Sequence, residues 1–162
     1  QGNPPVGSEM MRIMIDLDAM LAAYGTPDKP EKKEKSVKLI REVKAGKHEL
    51  YTPYTLMDIV IGFNIEYFRE KIHRFYARHS KEIITAKKLD GKLLELNKEL
   101  ETLLKRFVLI GIKEEDTVLV VMASAFGLEI KTFNKKHLLN KQDAVNKILK
   151  EEGMNEIVIN EP

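Results

Sequence analysis

Asp16 and Asp18 stand two residues apart at the end of a short apolar run, RIMID (12–16). A carboxylate delivered directly after a buried strand is costly unless a cation or hydrogen-bond donors meet it. Three later segments offer oxygen donors in comparable places. Asp58 lies in the first turns of a helical pattern after ELYTP (49–53), Asp116 falls a few residues after FVLIG (107–111), and Asn134 follows EIKTF (129–133) directly. Carboxylate and amide oxygens are hard ligands that suit magnesium or manganese, not zinc. Taken singly, Asp116 also reads as an acid favoured by a helix dipole, and Asp58 as an exposed helix acid. The chemistry lies in the combination: four segments sending oxygen ligands towards one place.

That convergence requires a scaffold. RIMID reads as a buried strand with its acid at the carboxyl edge. TPDKPEKKEK (26–35) is a polar, Pro-punctuated loop running into a helix marked by Val37, Ile40 and Val43 and stopped by Gly46. ELYTP reads as a brief extended segment. From Pro53 a long helical pattern carries Leu56, Ile59 or Val60, Phe63, Tyr67, Ile72 and Phe75. Leu89, Leu93, Leu96, Leu100, Leu103 and Phe107 form a narrow amphipathic stripe, either core or a dimer seam. FVLIG reads as a second strand. KEEDTVLVVMASAFG (113–127) opens with acids and closes on Gly127 as helices do, although its β-branched middle is locally ambiguous. EIKTF is a third strand, KQDAVNKILKEEG (141–153) a helix, and EIVIN (156–160) a fourth strand. Strands alternating with helices predict an α/β chain, three layers α/β/α around a mainly parallel sheet. Ligands in such sheets sit beyond the carboxyl ends of the strands, where the acids are expected.

Composition narrows the rest. A chain of 162 residues suits one domain, and Lys+Arg 27 against Asp+Glu 25 leaves a formal charge of +2. Any nucleic acid must then be attracted by a local patch. The absence of cysteine excludes disulfides, thiolate metal sites and a Cys nucleophile. His48, His73, His79 and His137 form no soft-metal cluster, and His73 and His79 read as surface or RNA-facing residues. The nine glycines are scattered, so no phosphate loop exists, and no nucleophile elbow surrounds Ser36, Ser80 or Ser124. No apolar run is long enough for a bilayer, and with no signal pattern a cytoplasmic protein is expected. Heavy use of Lys, Glu and Ile leans towards a heat-adapted source. QGNPPVGSEM (1–10) reads as a flexible lead or expression scar, with the domain spanning 11–162.

At this point the residues resemble the PIN domain nucleases, from Arg12 to Pro162. IMIDLDAML (13–21) is similar to that family's opening strand and acid. YTPYTLMDIV (51–60) resembles its second block, with Asp58 as the carboxylate. EEDTVLVVMASAFGLEIKTFN (114–134) resembles the third, an acid and a small-residue helix before a strand ending Thr-x-Asn. The tail from Lys135 resembles archaeal members. Three departures stand out: Asp58 where Glu is usual, Asn134 at the fourth acidic position, and Asp18 where a small polar residue is common.

The resemblance implies a magnesium- or manganese-dependent ribonuclease in which metal-activated water attacks single-stranded RNA. It makes Asp16 and Asp116 primary ligands, with Asp58 binding directly or through water. Asp18 and Asn134 are secondary, and Thr132 positions the strand end. Arg74 and Arg78, with Phe75 and Tyr76 interleaved, and the pair Lys135 and Lys136 are candidate RNA contacts, although charge runs on helices are usually solvated faces. Many small members are VapC-like toxins that form homodimers and pair with an antitoxin, a role the resemblance permits. Two rivals differ in kind. One is a PIN fold without a productive metal site that binds RNA or protein. The other is a haloacid dehalogenase-type phosphatase with Asp16 as nucleophile and Asp18 as acid. In that reading Met20 stands where Thr or Val is expected, and Val120 where a further acid is expected.

Overall fold

The computed structural model describes residues 10–82 and 101–162. Strand β1 (Met11–Ile15) is central and buried on both faces: Ile13 and Ile15 point into one core, Met14 into the other. Full burial of an aliphatic side chain contributes about 1.5–3 kcal/mol, so this apolar triplet has no stable alternative placement at a surface. Beyond Asp16 come α1 (Leu17–Tyr24) and α2 (Pro30–Lys44), the latter opening on Pro30 as the loop reading predicts. Strand β2 (His48–Thr52) pairs parallel to β1, with Ile13 opposite Leu50.

The helical pattern from Pro53 divides into α3 (Tyr54–Ile61) and α4 (Glu66–His79). Its period survives the break because Val60 on α3 and Ile72 and Phe75 on α4 enter the same core. Gly62 ends α3 through its backbone N–H, and Arg69 Nη1 donates to the Phe63 carbonyl across the gap. Strand β3 (Ser80–Glu82) follows α4 without a loop, pairs parallel to β2, and carries no strand signal in the sequence.

FVLIG is not a strand. Residues 101–109 are helical (α5), and the chain turns at Gly111, which holds φ +86. Leu103 and Phe107, four apart, are buried, whereas Val108 and Leu109 are 61% and 86% exposed. That is the facing of a helix; a strand would have alternated. The local β-branched and apolar character was outweighed by the stripe running into it. The four earlier leucines of the stripe, Leu89 to Leu100, lie outside the described residues.

Helix α6 (Glu114–Phe126) ends at Gly127, where φ +66 favours glycine, and its ambiguous TVLVVM middle is helical. Strand β4 (Glu129–Lys131) pairs parallel to β1, with Ile15 opposite Lys131. A short 3-10 turn (Leu139–Lys141) leads into α7 (Gln142–Glu151), and β5 (Ile159–Asn160) joins β4, again parallel.

The sheet order is β3-β2-β1-β4-β5, parallel throughout among the described residues. The chain steps one way from β1 to β3 and the other way from β4 to β5. Right-handed crossovers therefore place α1, α2 and α4 on one face and α5, α6 and α7 on the other. This is the expected three-layer α/β/α architecture. Helix α3 straddles the layers, with Leu56 in one core and Val60 in the other. The direction of stepping changes between β1 and β4, at whose carboxyl ends a crevice opens.

Candidate metal centre

Where β1 ends, Asp16 caps α1. Its extended backbone (φ −70, ψ 154) starts the helix, and its Oδ1 accepts from the Leu17 N–H at 2.8 Å. The Asp16 N–H donates to the Lys131 carbonyl at 2.9 Å, which ties the acid to the end of β4. Asp18 lies in the first turn of α1, and its Oδ2 accepts from the Phe133 N–H at 3.1 Å. Thr132, fully buried, stands between the two acids. Its Oγ1 donates to Asp16 Oδ2 at 2.9 Å and lies 3.3 Å from both Asp18 oxygens, while accepting the Asn134 N–H at 3.1 Å. A hydroxyl has one proton, so it serves one carboxylate and turns lone-pair density on the other.

The electrostatics follow. Burial pushes the Asp16 carboxyl above the usual range, and the Thr132 and Leu17 hydrogen bonds only partly offset this. Burial, then the Asp16 charge, raises Asp18 to about 7. Asp116, in the first turn of α6, is raised to about 6 by burial and then by Asp16, with His137 and Lys113 pulling the other way. Beneath them Tyr76 is wholly enclosed and donates to the Ile15 carbonyl at 2.9 Å. Burial, with Asp16 and Asp18 nearby, keeps its phenol protonated. The crowding calls for protons or a cation.

These groups meet in one cavity of about 240 Å³, lined by Asp16, Asp18, Asp116 and Asn134 together with Glu115 and Lys113. Thr55, Leu56 and Ile59 of α3 and Leu119 of α6 close its walls. Thr132 lies behind it, holding the acids. Asn134 also fixes the following turn, since its Oδ1 accepts from the His137 N–H at 3.0 Å. Asp58 does not line the cavity. It is exposed, because α3 buries Leu56 and sets Thr55 and Ile59 at the cavity rim, which leaves position 58 on the outer face. Asp116 is delivered by the α5–α6 turn and not by a strand end. Glu115 and Lys113 were missed. The only available signal was the acidic pair beside Asp116 at the helix start.

No protein-family model matches the chain, and no curated protein matches it either. Among the described residues, no three acidic or imidazole side chains form a preassembled metal-ligand group. The donor set itself is all oxygen and fits a hard divalent cation. None of the four histidines lines the cavity: His73 borders a separate hollow by Tyr76, His79 rests on Phe75, His48 faces Glu42, and His137 Nδ1 lies 2.9 Å from the Gly111 carbonyl. Arg74, Arg78 and Lys136 are exposed and line neither this cavity nor the grooves beside it, whereas Lys135 lines a groove next to α2. Among the described residues no helix is long and apolar enough to cross a membrane.

Proposed function

We propose that this cavity is the catalytic centre of a divalent-metal-dependent ribonuclease of the PIN type, acting on single-stranded RNA. The observation that carries the reading is the gathering of Asp16, Asp18 and Asp116 at the carboxyl rim of the parallel sheet, each held above its ordinary pKa. Asp16, Asp18 and Asp116 would hold Mg²⁺ or Mn²⁺, with Glu115 and Asn134 at the wall. Bound there, the ion would supply charge neutralisation and Lewis-acid activation of water at a phosphodiester. Thr132 fixes the Asp16 carboxylate, and Lys113 offers a cation to a phosphate at the cavity wall. Asp58, exposed on the outer face of α3, has no part in this set.

One observation favours the binding-module reading instead: the acids are not preassembled as a three-ligand group among the described residues. The phosphatase reading is weaker, because Met20 and Val120 stand where that chemistry expects Thr or Val and a further acid. A toxin role, a cognate antitoxin and a homodimer belong to the proposal on the resemblance alone. Leu103 and Phe107, at the described end of the leucine stripe, are core residues and offer no surface to a partner.

The test is calorimetric titration with Mn²⁺ followed by cleavage of labelled single-stranded RNA. Wild type should bind and cleave, and Asp116→Asn should fold and lose cleavage by at least about 100-fold, the scale of a lost electrostatic catalytic group. RNA binding with neither metal uptake nor cleavage would replace the nuclease reading with the binding-module one.

A further inference from the structure

Three hollows run into one another from the acid cavity. Asp18 lines both that cavity and a second one of about 420 Å³, whose walls are Leu21, Pro27 and Phe68. Asp28, Lys32 and Phe133 are common to the second hollow and to a broad groove of about 900 Å³ along α2. That groove is lined by Lys29, Lys32, Lys35 and Lys135, interleaved with Asp28, Glu31 and Glu161. The sequence of surfaces is acid, then apolar, then lysine-rich, with the lysines of the last only just outnumbering its acids. Its polarity matches a nucleotide chain passing through: a reacting phosphate, a base, then further phosphates.

Glu161 is central to the groove. Lys35 Nζ donates to its Oε2 at 2.8 Å, and Lys135 and Lys32 also lie close enough to help hold its carboxyl below the usual range. Lys32 is meanwhile engaged by Asp28 at 2.9 Å and lies 5.7 Å over the Phe133 ring. Three lysines thus surround one carboxylate at a solvent-facing site. A phosphodiester has the same single charge and the same two charged oxygens as that carboxylate, so it can replace it without a change in net charge.

We propose that single-stranded RNA leaves the acid cavity along this path, with a base in the Leu21–Pro27–Phe68 hollow and phosphates on Lys35 and Lys135. In the free protein Glu161 occupies the phosphate position, and the incoming strand displaces it. This rests on reading the acid cavity as a nuclease centre, but its test does not require cleavage. Base stacking and backbone neutralisation are the two general sources of single-strand affinity, and the path supplies a place for each.

The experiment is fluorescence anisotropy of a labelled single-stranded RNA octamer with the full chain in EDTA, over a range of salt. Lys135→Ala should weaken binding several-fold and lower the log–log salt slope by about 0.7, the increment for one phosphate contact on a single strand. E161Q should tighten binding about 3–10-fold, on the general expectation that removing a competing charge favours the polyanion. Arg78→Ala, off the path, should leave affinity unchanged, and an octamer of abasic sugar-phosphate should bind more weakly than RNA. An unchanged slope in Lys135→Ala, or E161Q binding no tighter than wild type, overturns the path. So does Arg78→Ala matching the loss of Lys135→Ala. If the EDTA results hold while Mn²⁺ produces no cleavage, the groove stands and the nuclease reading falls. If cleavage is robust while Lys135→Ala and E161Q bind as wild type, the reverse is established.

Discussion

Asp18→Asn should stabilise this protein, and more so as the pH rises. The Asp18 carboxyl titrates near 7 in the folded chain against an ordinary 3.8. Between those values the folded state therefore binds more proton than the unfolded one. The sign follows: stability on this group's account is full below pH 4 and is lost as the pH rises through 7. At about 1.4 kcal/mol per pH unit the whole loss is on the order of 4 kcal/mol, of which roughly 2–3 kcal/mol falls between pH 5 and pH 8. Asparagine keeps an acceptor for the Phe133 N–H and gains a donor that can face Asp16 or Thr132. Urea unfolding of both proteins at pH 5 and pH 8 reads the difference directly, and with an ordinary slope the variant's midpoint should gain about 1–2 M on wild type across that interval. Saturating Mn²⁺ should close much of the gap at pH 8 by stabilising wild type, by about 2.7 kcal/mol at a hundred times the dissociation constant. A variant whose advantage is the same at both pH values, or which loses ground at pH 8, would show that Asp18 is comfortably ionised and refute the crowding argument.

Three further outcomes follow from the same geometry. Thr132→Val removes the hydroxyl that stands between Asp16 and Asp18 and should cost about 1–3 kcal/mol in urea unfolding at neutral pH, because Asp16 loses a buried donor. Tyr76→Phe should cost about 1–2 kcal/mol by leaving the Ile15 carbonyl without that partner, with the apolar packing kept. Asp58→Asn should leave RNA cleavage within about twofold of wild type, the usual range for an exposed side chain away from the chemistry, and a collapse comparable to Asp116→Asn in the same assay would restore it to the site.

The parts of this fold that were legible were those where period and burial agree. RIMID, EIKTF and the α2 and α7 patterns announced themselves because apolar spacing, helix stops and flanking polar residues all pointed one way. FVLIG misled because five residues of apolar, β-branched chain suit a strand or a buried helix turn equally, and only the packing of Leu103 and Phe107 decides. β3 was silent: at three residues, Ser80–Glu82 has no room for an alternation, and its existence depends on the open edge of β2. Within the site, Asp16, Asp18 and Thr132 were readable because they sit on or beside strands whose ends point one way. Asp58 was not, because the face a helical residue presents depends on how its helix is rolled, and α3 is rolled by Leu56 and Val60 entering two different cores. Glu115 was hidden by its more conspicuous neighbour.

The pairing of β1 with β4 has a consequence for how the molecule comes into being on the ribosome. Asp16 and Asp18 are made before Thr132 and the Phe133 and Asn134 amides that organise them, with more than a hundred residues of synthesis between. Until β4 slots in beside β1, these acids have no framework, and a nascent chain carries the carboxylates without the means to align them. The cavity's arrangement therefore arrives all at once, when a later-made strand docks beside an earlier one.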